Sequence, residues 1–298
     1  SPSHDADGER GGAECCLRPC PSRCTKTTMN ILDSVILGIV QGLTEFLPVS
    51  SSGHLILMRE VLGINTSGGL AFDAILQLGT VIAALAYFRR DVWKLVVDAW
   101  KIVTGNRKQV ALVDQHYLLA IIVGTLPALV LGILLEKTMD TLFRSAVVVA
   151  VTLILGSIVF MLAERHGKRQ RTDVSVKDGW WIGVFQCIAL IPGISRSGST
   201  ISGGLFRGLT RESAARFSFL LSLPIISGSG LKKLVDVIQD KPADIQMLPL
   251  AIGFAVSFLV GIACIHWLLG YLKKHGLHVF AWYRIALGLI VLLVVSLR

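Results

Sequence analysis

Within the stretch GIVQGLTEFLPVSSSGHLIL, residues 38–57, six polar groups suited to reaction chemistry are set into an apolar background: Gln41, Glu45, Ser50, Ser51, Ser52 and His54. Gln41 and Glu45 are four residues apart and therefore share one face of a helix. Pro48 ends that helix, because proline removes a backbone donor and disfavours helical geometry in the residue before it. An ionisable group in so apolar a helix is costly and marks a functional cavity. The serines open the next helix, where hydroxyls cap free amides and the same exposed amides bind phosphate. One of these hydroxyls becomes a nucleophile if a base lies within hydrogen-bond reach, and His54, three residues past Ser51, is the nearest candidate.

A second set lies in PGISRSGST, residues 192–200, where Arg196 is flanked by Ser195, Ser197, Ser199 and Thr200. Arginine offers a permanently charged planar fork of donors that matches phosphate oxygens, and next to the amides of a glycine-rich turn it makes an oxyanion clamp. Acid, imidazole, hydroxyl and guanidinium are together the parts for phosphoryl transfer, in which positioning and charge neutralisation do most of the catalysis. A carboxylate such as Glu45 also suits Mg²⁺ or Ca²⁺, which favour oxygen ligands.

What must position these groups is a membrane protein. The 298 residues are 53% hydrophobic and 16% charged, far from the balance of a soluble domain. Apolar runs fall near 31–47, 70–88, 117–135, 143–163, 179–192, 214–231, 247–270 and 279–297; a full span needs about 20 residues, and the first and fifth runs are short for one. The net charge of +9 clusters at FRRDVWK, GNRK, ERHGKRQR and YLKKHG on the flanks of these runs, a pattern of cytoplasmic anchoring to anionic lipid rather than of nucleic-acid binding. DVWKLVVDAWKIV carries its charges on one stripe and its tryptophans on another, as a helix lying in the membrane interface does. Residues 1–28 are expected to be a disordered leader ahead of Met29; their cysteines, Cys15, Cys16, Cys20 and Cys24, lack the C-x-x-C spacing of a zinc site.

The chain also overlies itself at an offset of 145 residues. Gly38, Gln41, Gly53 and Phe72 fall on Gly183, Gln186, Gly198 and Phe217. The shared plan is a short apolar helix, a proline break, a serine- and glycine-rich turn, a second short helix and a full span. Backbone interrupted inside a bilayer must be buried in protein or line a watery cavity. The expected fold is thus an all-α polytopic membrane protein, one domain over 29–298, with an inverted-topology repeat (about 30–135 and 175–298) carrying two re-entrant helix hairpins. Loop charge places 89–108, 164–177 and 271–276 on the cytoplasmic side and 136–143 outside, so the hairpins enter from opposite faces. Opposed repeats of this kind are also the plan of secondary transporters, which keeps an alternating-access carrier of polyprenyl phosphate open as the second reading. The face GLAFDAILQLG could serve helix contacts in a homodimer.

With both motifs in order, the chain resembles the bacterial undecaprenyl-diphosphate phosphatase family of the bacitracin-resistance type. The resemblance covers 29–298 and rests on the family's (E/Q)-x-x-x-E, here Gln41 to Glu45 followed by FLPVSSSGH, and on P-G-x-S-R-S-x-x-T, here Pro192 to Thr200. It implies a bacterial inner-membrane hydrolase that converts undecaprenyl diphosphate to the monophosphate carrier lipid for wall synthesis, with its pocket open to the periplasm and a divalent cation as cofactor. By similarity Glu45 takes the catalytic acid position and a metal-ligand role, and His54 that of acid/base or nucleophile, with Ser51 a competing nucleophile. Arg196 would grip the diphosphate with Ser195, Ser197 and Thr200, while Gln41, Ser50 and Ser52 complete the substrate site. Gln41 cannot ionise, so no second carboxylate stands at the first motif position.

Overall fold

The computed structural model describes residues 30–64, 69–142, 146–166, 170–240 and 246–297; the leader expected over residues 1–28 lies outside them. Eleven α-helices occupy the described residues: α1 Ile31–Thr44, α2 Ser51–Leu62, α3 Gly69–Tyr87, α4 Arg89–Val103, α5 Leu112–Leu142, α6 Ala146–His166, α7 Val176–Ile188, α8 Arg196–Phe206, α9 Arg211–Asp240, α10 Met247–Leu272 and α11 His278–Ser296. Within them Leu112–Leu135, α6, Arg211–Lys232, α10 and α11 are long and apolar enough to cross a membrane, and α3 with α4 forms a sixth candidate bent by 78°. This is the polytopic all-helical architecture expected from the apolar runs. The two runs too short for a span become α1 and α7, of 14 and 13 residues. At 1.5 Å per residue each is about 20 Å long, against a hydrocarbon core near 30 Å.

The 145-residue offset reappears in local geometry. Both α1 and α7 start with a reciprocal capping box, Asn30 with Asp33 and Ser175 with Asp178, which satisfies amides that a helix start leaves bare. Asp178 also accepts from Arg171 at 3.1 Å and Arg207 at 2.7 Å. Burial pushes its carboxyl up, but the Ser175 amide and hydroxyl and the two guanidiniums outweigh that and hold it below the usual range. At the other end, Ser50 and Ser195 are the non-glycine residues with positive φ among those described, at 77° and 78°. A serine held there is strained by about 1–3 kcal/mol, and the same strain occurs at the same place in each repeat.

Packing follows the same exchange. α1 lies along α10 and α7 along α5, while α3 meets α9 and α6 meets α11. Close approach explains the matched glycines Gly38 and Gly183. A methyl group at Gly38 would come within 2.8 Å of the Gly253 carbonyl on α10, and one at Gly183 would collide with the Gly124 carbonyl on α5. Small residues at such crossings bring backbones together where no water drives association. Gly79, in the face considered for dimer contacts, is used the same way inside the chain, against Phe254 and Ser257 of α10.

The outer surface is apolar where lipid would cover it. Val130, Ile133 and Leu134 of α5 and Leu289, Ile290 and Leu293 of α11 are all exposed. α4 turns Trp93, Val96, Trp100 and Val103 outward and buries Asp98 against the protein body, the orientation expected of an interfacial helix.

Candidate active site

Each pair of short helices forms a hairpin, and the tips of the two hairpins meet. α1 ends at Glu45, whose amide still bonds the Gln41 carbonyl at 3.0 Å; a turn through Pro48 then leads to Ser50 and α2. α7 ends at Ala189, and its turn through Pro192 and Gly193 leads to Ser195 and α8. The strained serines face back into the helices they precede. Ser50 Oγ accepts from the Gly53 amide at 3.4 Å and Ser195 Oγ from the Gly198 amide at 3.2 Å. The starts of α2 and α8 therefore carry Ser51, Ser52, Arg196 and Ser197 into one cavity of about 200 Å³, which Thr44, Glu45, Gln77 and Ser229 also line. Two helix N-termini directed at one space present bare amides and two positive dipole ends, an environment built for an anion.

Glu45 is the hub. It is 6% exposed and lies at the negative end of its own helix, an unfavourable place for a carboxylate. Three donors offset this. Arg196 Nη2 binds Oε1 at 2.7 Å, while Ser51 Oγ at 2.7 Å and Gln41 Nε2 at 3.0 Å bind Oε2. The Arg196 contact joins groups 151 positions apart in the chain, and Ser197 Oγ reinforces the joint by donating to the Leu47 carbonyl at 3.1 Å. The other guanidinium nitrogen, Arg196 Nη1, is buried with no hydrogen-bond partner. A buried cationic donor without an acceptor is expensive, and beside two helix N-termini the setting suits an anionic oxygen.

The remaining site candidates are distributed around this hub. Ser50, Ser52, Ser195 and Ser197 line the cavity. Thr200 is fully buried within α8 and bonds the Arg196 and Ser197 carbonyls and the Ser218 hydroxyl, so it braces the helix start instead of facing the cavity. His54 also lies away from the cavity lining. Its Nδ1 is 2.8 Å from the Ser50 carbonyl, so that nitrogen carries the proton, and its Nε2 accepts from Tyr283 Oη at 2.8 Å. Gln186, which coincides with Gln41 in the repeat, is buried and its side-chain amide makes no hydrogen bond. Four residues beyond it stands Leu190 where the first repeat has Glu45. The acid occurs in one hairpin and the guanidinium in the other.

Sequence reasoning passed over Arg284. It is fully buried in α11 and has no carboxylate partner among the described residues. Its guanidinium donates instead to Pro48 O at 3.3 Å in the first turn, to Gly193 O at 3.0 Å and Ile194 O at 2.8 Å in the second, and to Leu153 O at 3.1 Å on α6. It lies over the Phe160 ring at 4.5 Å, a favourable cation–π distance. One side chain thus satisfies carbonyls from both broken helices and leaves a positive charge that no acid neutralises behind the cavity. A lone arginine inside the apolar run 279–297 was the available signal.

Comparison with known proteins gives matches over nearly the whole chain. An undecaprenyl-diphosphatase of Corynebacterium striatum is 43% identical over 274 residues, 91% of this chain and 96% of that one. Undecaprenyl-diphosphatase 1 of Corynebacterium jeikeium is 43% identical over 89% of this chain and 95% of its own, and an undecaprenyl-diphosphatase of Myxococcus xanthus is 40% identical over 90% of each. Residues 34–290 match the family model described as bacitracin resistance protein BacA, and they contain both hairpin tips, the residues lining the shared cavity and Arg284. The chain belongs to the bacitracin resistance protein BacA family.

Proposed function

We infer that the protein is a membrane-embedded phosphatase that hydrolyses undecaprenyl diphosphate to undecaprenyl phosphate and inorganic phosphate. The observation that carries this reading is the contact of Ser51 and Arg196 with the two oxygens of Glu45 inside a cavity faced by two helix N-termini. A carrier needs an anion clamp but has no use for a carboxylate on a hydroxyl, and relatives bearing the diphosphatase name extend over nine-tenths of the chain.

The chemistry follows from the contacts. The diphosphate takes up the free donors of Arg196 Nη1 and the amides at the starts of α2 and α8. Ser51 Oγ, already donating to Glu45, attacks the terminal phosphorus as its proton passes to the carboxylate. The bond to the bridging oxygen breaks and lipid monophosphate leaves with the proton that Glu45 took; the carboxylate, bare again, draws a proton from a water that attacks the phosphoserine, and returns it to Ser51 Oγ as inorganic phosphate leaves. His54 holds the start of α2 through the Ser50 carbonyl. Replacing Ser51 with alanine is expected to lower kcat by about 10³-fold or more, because the attacking atom is lost; retention of a tenth of the rate would assign the attack to water.

A divalent cation fits this donor set only together with substrate. Both Glu45 oxygens already accept hydrogen bonds, and among the described residues no three His, Cys, Asp or Glu side chains converge. Mg²⁺ is commonly held by one carboxylate plus phosphate oxygens, so Glu45 would share it with the diphosphate, where it would neutralise charge on the transferred group. Calorimetric titration of the lipid-free protein with Mg²⁺ or Ca²⁺ is expected to show no micromolar binding, whereas hydrolysis should rise with either ion and stop with chelator.

The hairpins are read as re-entrant in the bacterial inner membrane, with the cavity toward the periplasm. Short α1, α2, α7 and α8 and the basic ends of the long helices support this placement. The decisive assay is phosphate release from a polyprenyl diphosphate by purified protein in detergent with Mg²⁺ or Ca²⁺ present. No release, with transfer of lipid phosphate across vesicles, would replace the enzyme reading with the carrier.

A further inference from the structure

A second polar cavity, of about 210 Å³, lies between α4, the start of α5 and the start of α9, with Asp91, Lys94, Asp98, Asp114, Tyr117 and Arg216 among its walls. It is separate from the catalytic cavity. α9 presents Arg216 here and Ser229 there, about 20 Å further along the helix. Most charges on its walls are matched. Arg216 binds both oxygens of Asp91 at 2.8 and 2.7 Å, and Lys94 binds Asp114 at 2.5 Å. Asp98 is left over. It is 7% exposed, and its Oδ2 is buried with no hydrogen-bond partner.

A buried carboxylate without a partner is costly, and a cation removes the cost. The cavity walls say which cation. A divalent metal would meet no convergent set of acids among the described residues. An ammonium group carries three donors, and one carboxylate with the hydroxyls of Tyr117 and Ser213, which line the same space, offers oxygens for them. Height in the membrane narrows the source. Trp93 and Trp100, 71% and 69% exposed on the opposite side of α4, are residues that settle at the headgroup level. Lys94, paired with Asp114, marks the rim with a side chain 59% exposed.

We propose that this cavity binds a primary ammonium group through Asp98, the head of an aminophospholipid in the surrounding bilayer. The site uses none of the residues assigned to hydrolysis, so the two readings stand or fall separately.

Native mass spectrometry of the full-length protein from micelles with equal phosphatidylethanolamine and phosphatidylcholine tests the proposal. Wild type is expected to retain phosphatidylethanolamine about tenfold better, the scale of a hydrogen bond to a charged group. Asp98→Asn should lose that preference while hydrolysing at the wild-type rate. Equal retention of the two lipids by wild type, or an unchanged preference in Asp98→Asn, overturns the proposal. A mutation-free arm uses headgroups bearing one, two and three N-methyl groups: retention should fall as N–H donors disappear, and a flat series is again fatal. Displacement of the lipid by ethanolammonium chloride at equal concentration would transfer the ammonium site from lipid to soluble amines and overturn the lipid source.

Discussion

Glu45→Gln is expected to fold normally and to lose hydrolysis by about 10³-fold or more, the scale of a general base that also sets its nucleophile. Glutamine has the same shape and keeps an oxygen for Arg196 or Ser51, so the joint between hairpins weakens without breaking. What it cannot do is accept the Ser51 proton. The change should therefore appear in kcat. KM should not rise, because Arg196 loses the counter-ion that competes with the diphosphate. Arg196→Ala should raise KM and lower kcat together, and the double variant should cost little more than the worse single one, since contacting groups are not additive. Phosphate-release kinetics on the four proteins tests this pattern. A Glu45→Gln enzyme within tenfold of wild type would remove Glu45 from the chemistry.

Arg284→Met is expected to lose the fold itself. It removes the donor shared by Pro48, Gly193, Ile194 and Leu153, leaving buried carbonyls at both helix breaks without partners. Each buried carbonyl left unsatisfied costs about 1–3 kcal/mol, and several together are a large part of the 5–15 kcal/mol typical of whole-domain stability. Arg284→Lys should be nearly as damaging, because one ammonium cannot span carbonyls that a planar fork reaches. Size-exclusion profiles and thermal unfolding in detergent read the effect. A monodisperse Arg284→Met protein melting within a few degrees of wild type would show that the turns hold without it.

Much of this architecture is legible in the sequence because it is written locally. The i,i+4 pair Gln41 and Glu45, the proline after it and the serines beyond Pro48 specify a broken helix and its polar tip within a dozen residues, and the 145-residue offset supplies the second. The pairing of Ser51 with Glu45 across the Pro48 turn is less legible. Helical spacing pointed to His54 as the nearest base to Ser51, but the positive φ at Ser50 swings Ser51 toward Glu45 and leaves His54 on Tyr283. Arg284 is the opposite case. Its partners are backbone carbonyls, which every residue possesses, so no spacing of residue types announces them. Gln77 and Ser229 reach the catalytic cavity from α3 and α9, and only the tertiary packing of those helices places them there.

The ion pair between the hairpin tips has a bearing on when the enzyme is dangerous to its own membrane. With no guest present, the carboxylate and one arm of the guanidinium hold one another, and only the other arm is open to an incoming oxygen. Only a headgroup bringing enough negative charge to claim the guanidinium sets the acid free to work. Reactivity is then coupled to the charge of the cargo, since a diphosphate competes for that guanidinium with more negative charge than the single phosphate of an ordinary phospholipid brings.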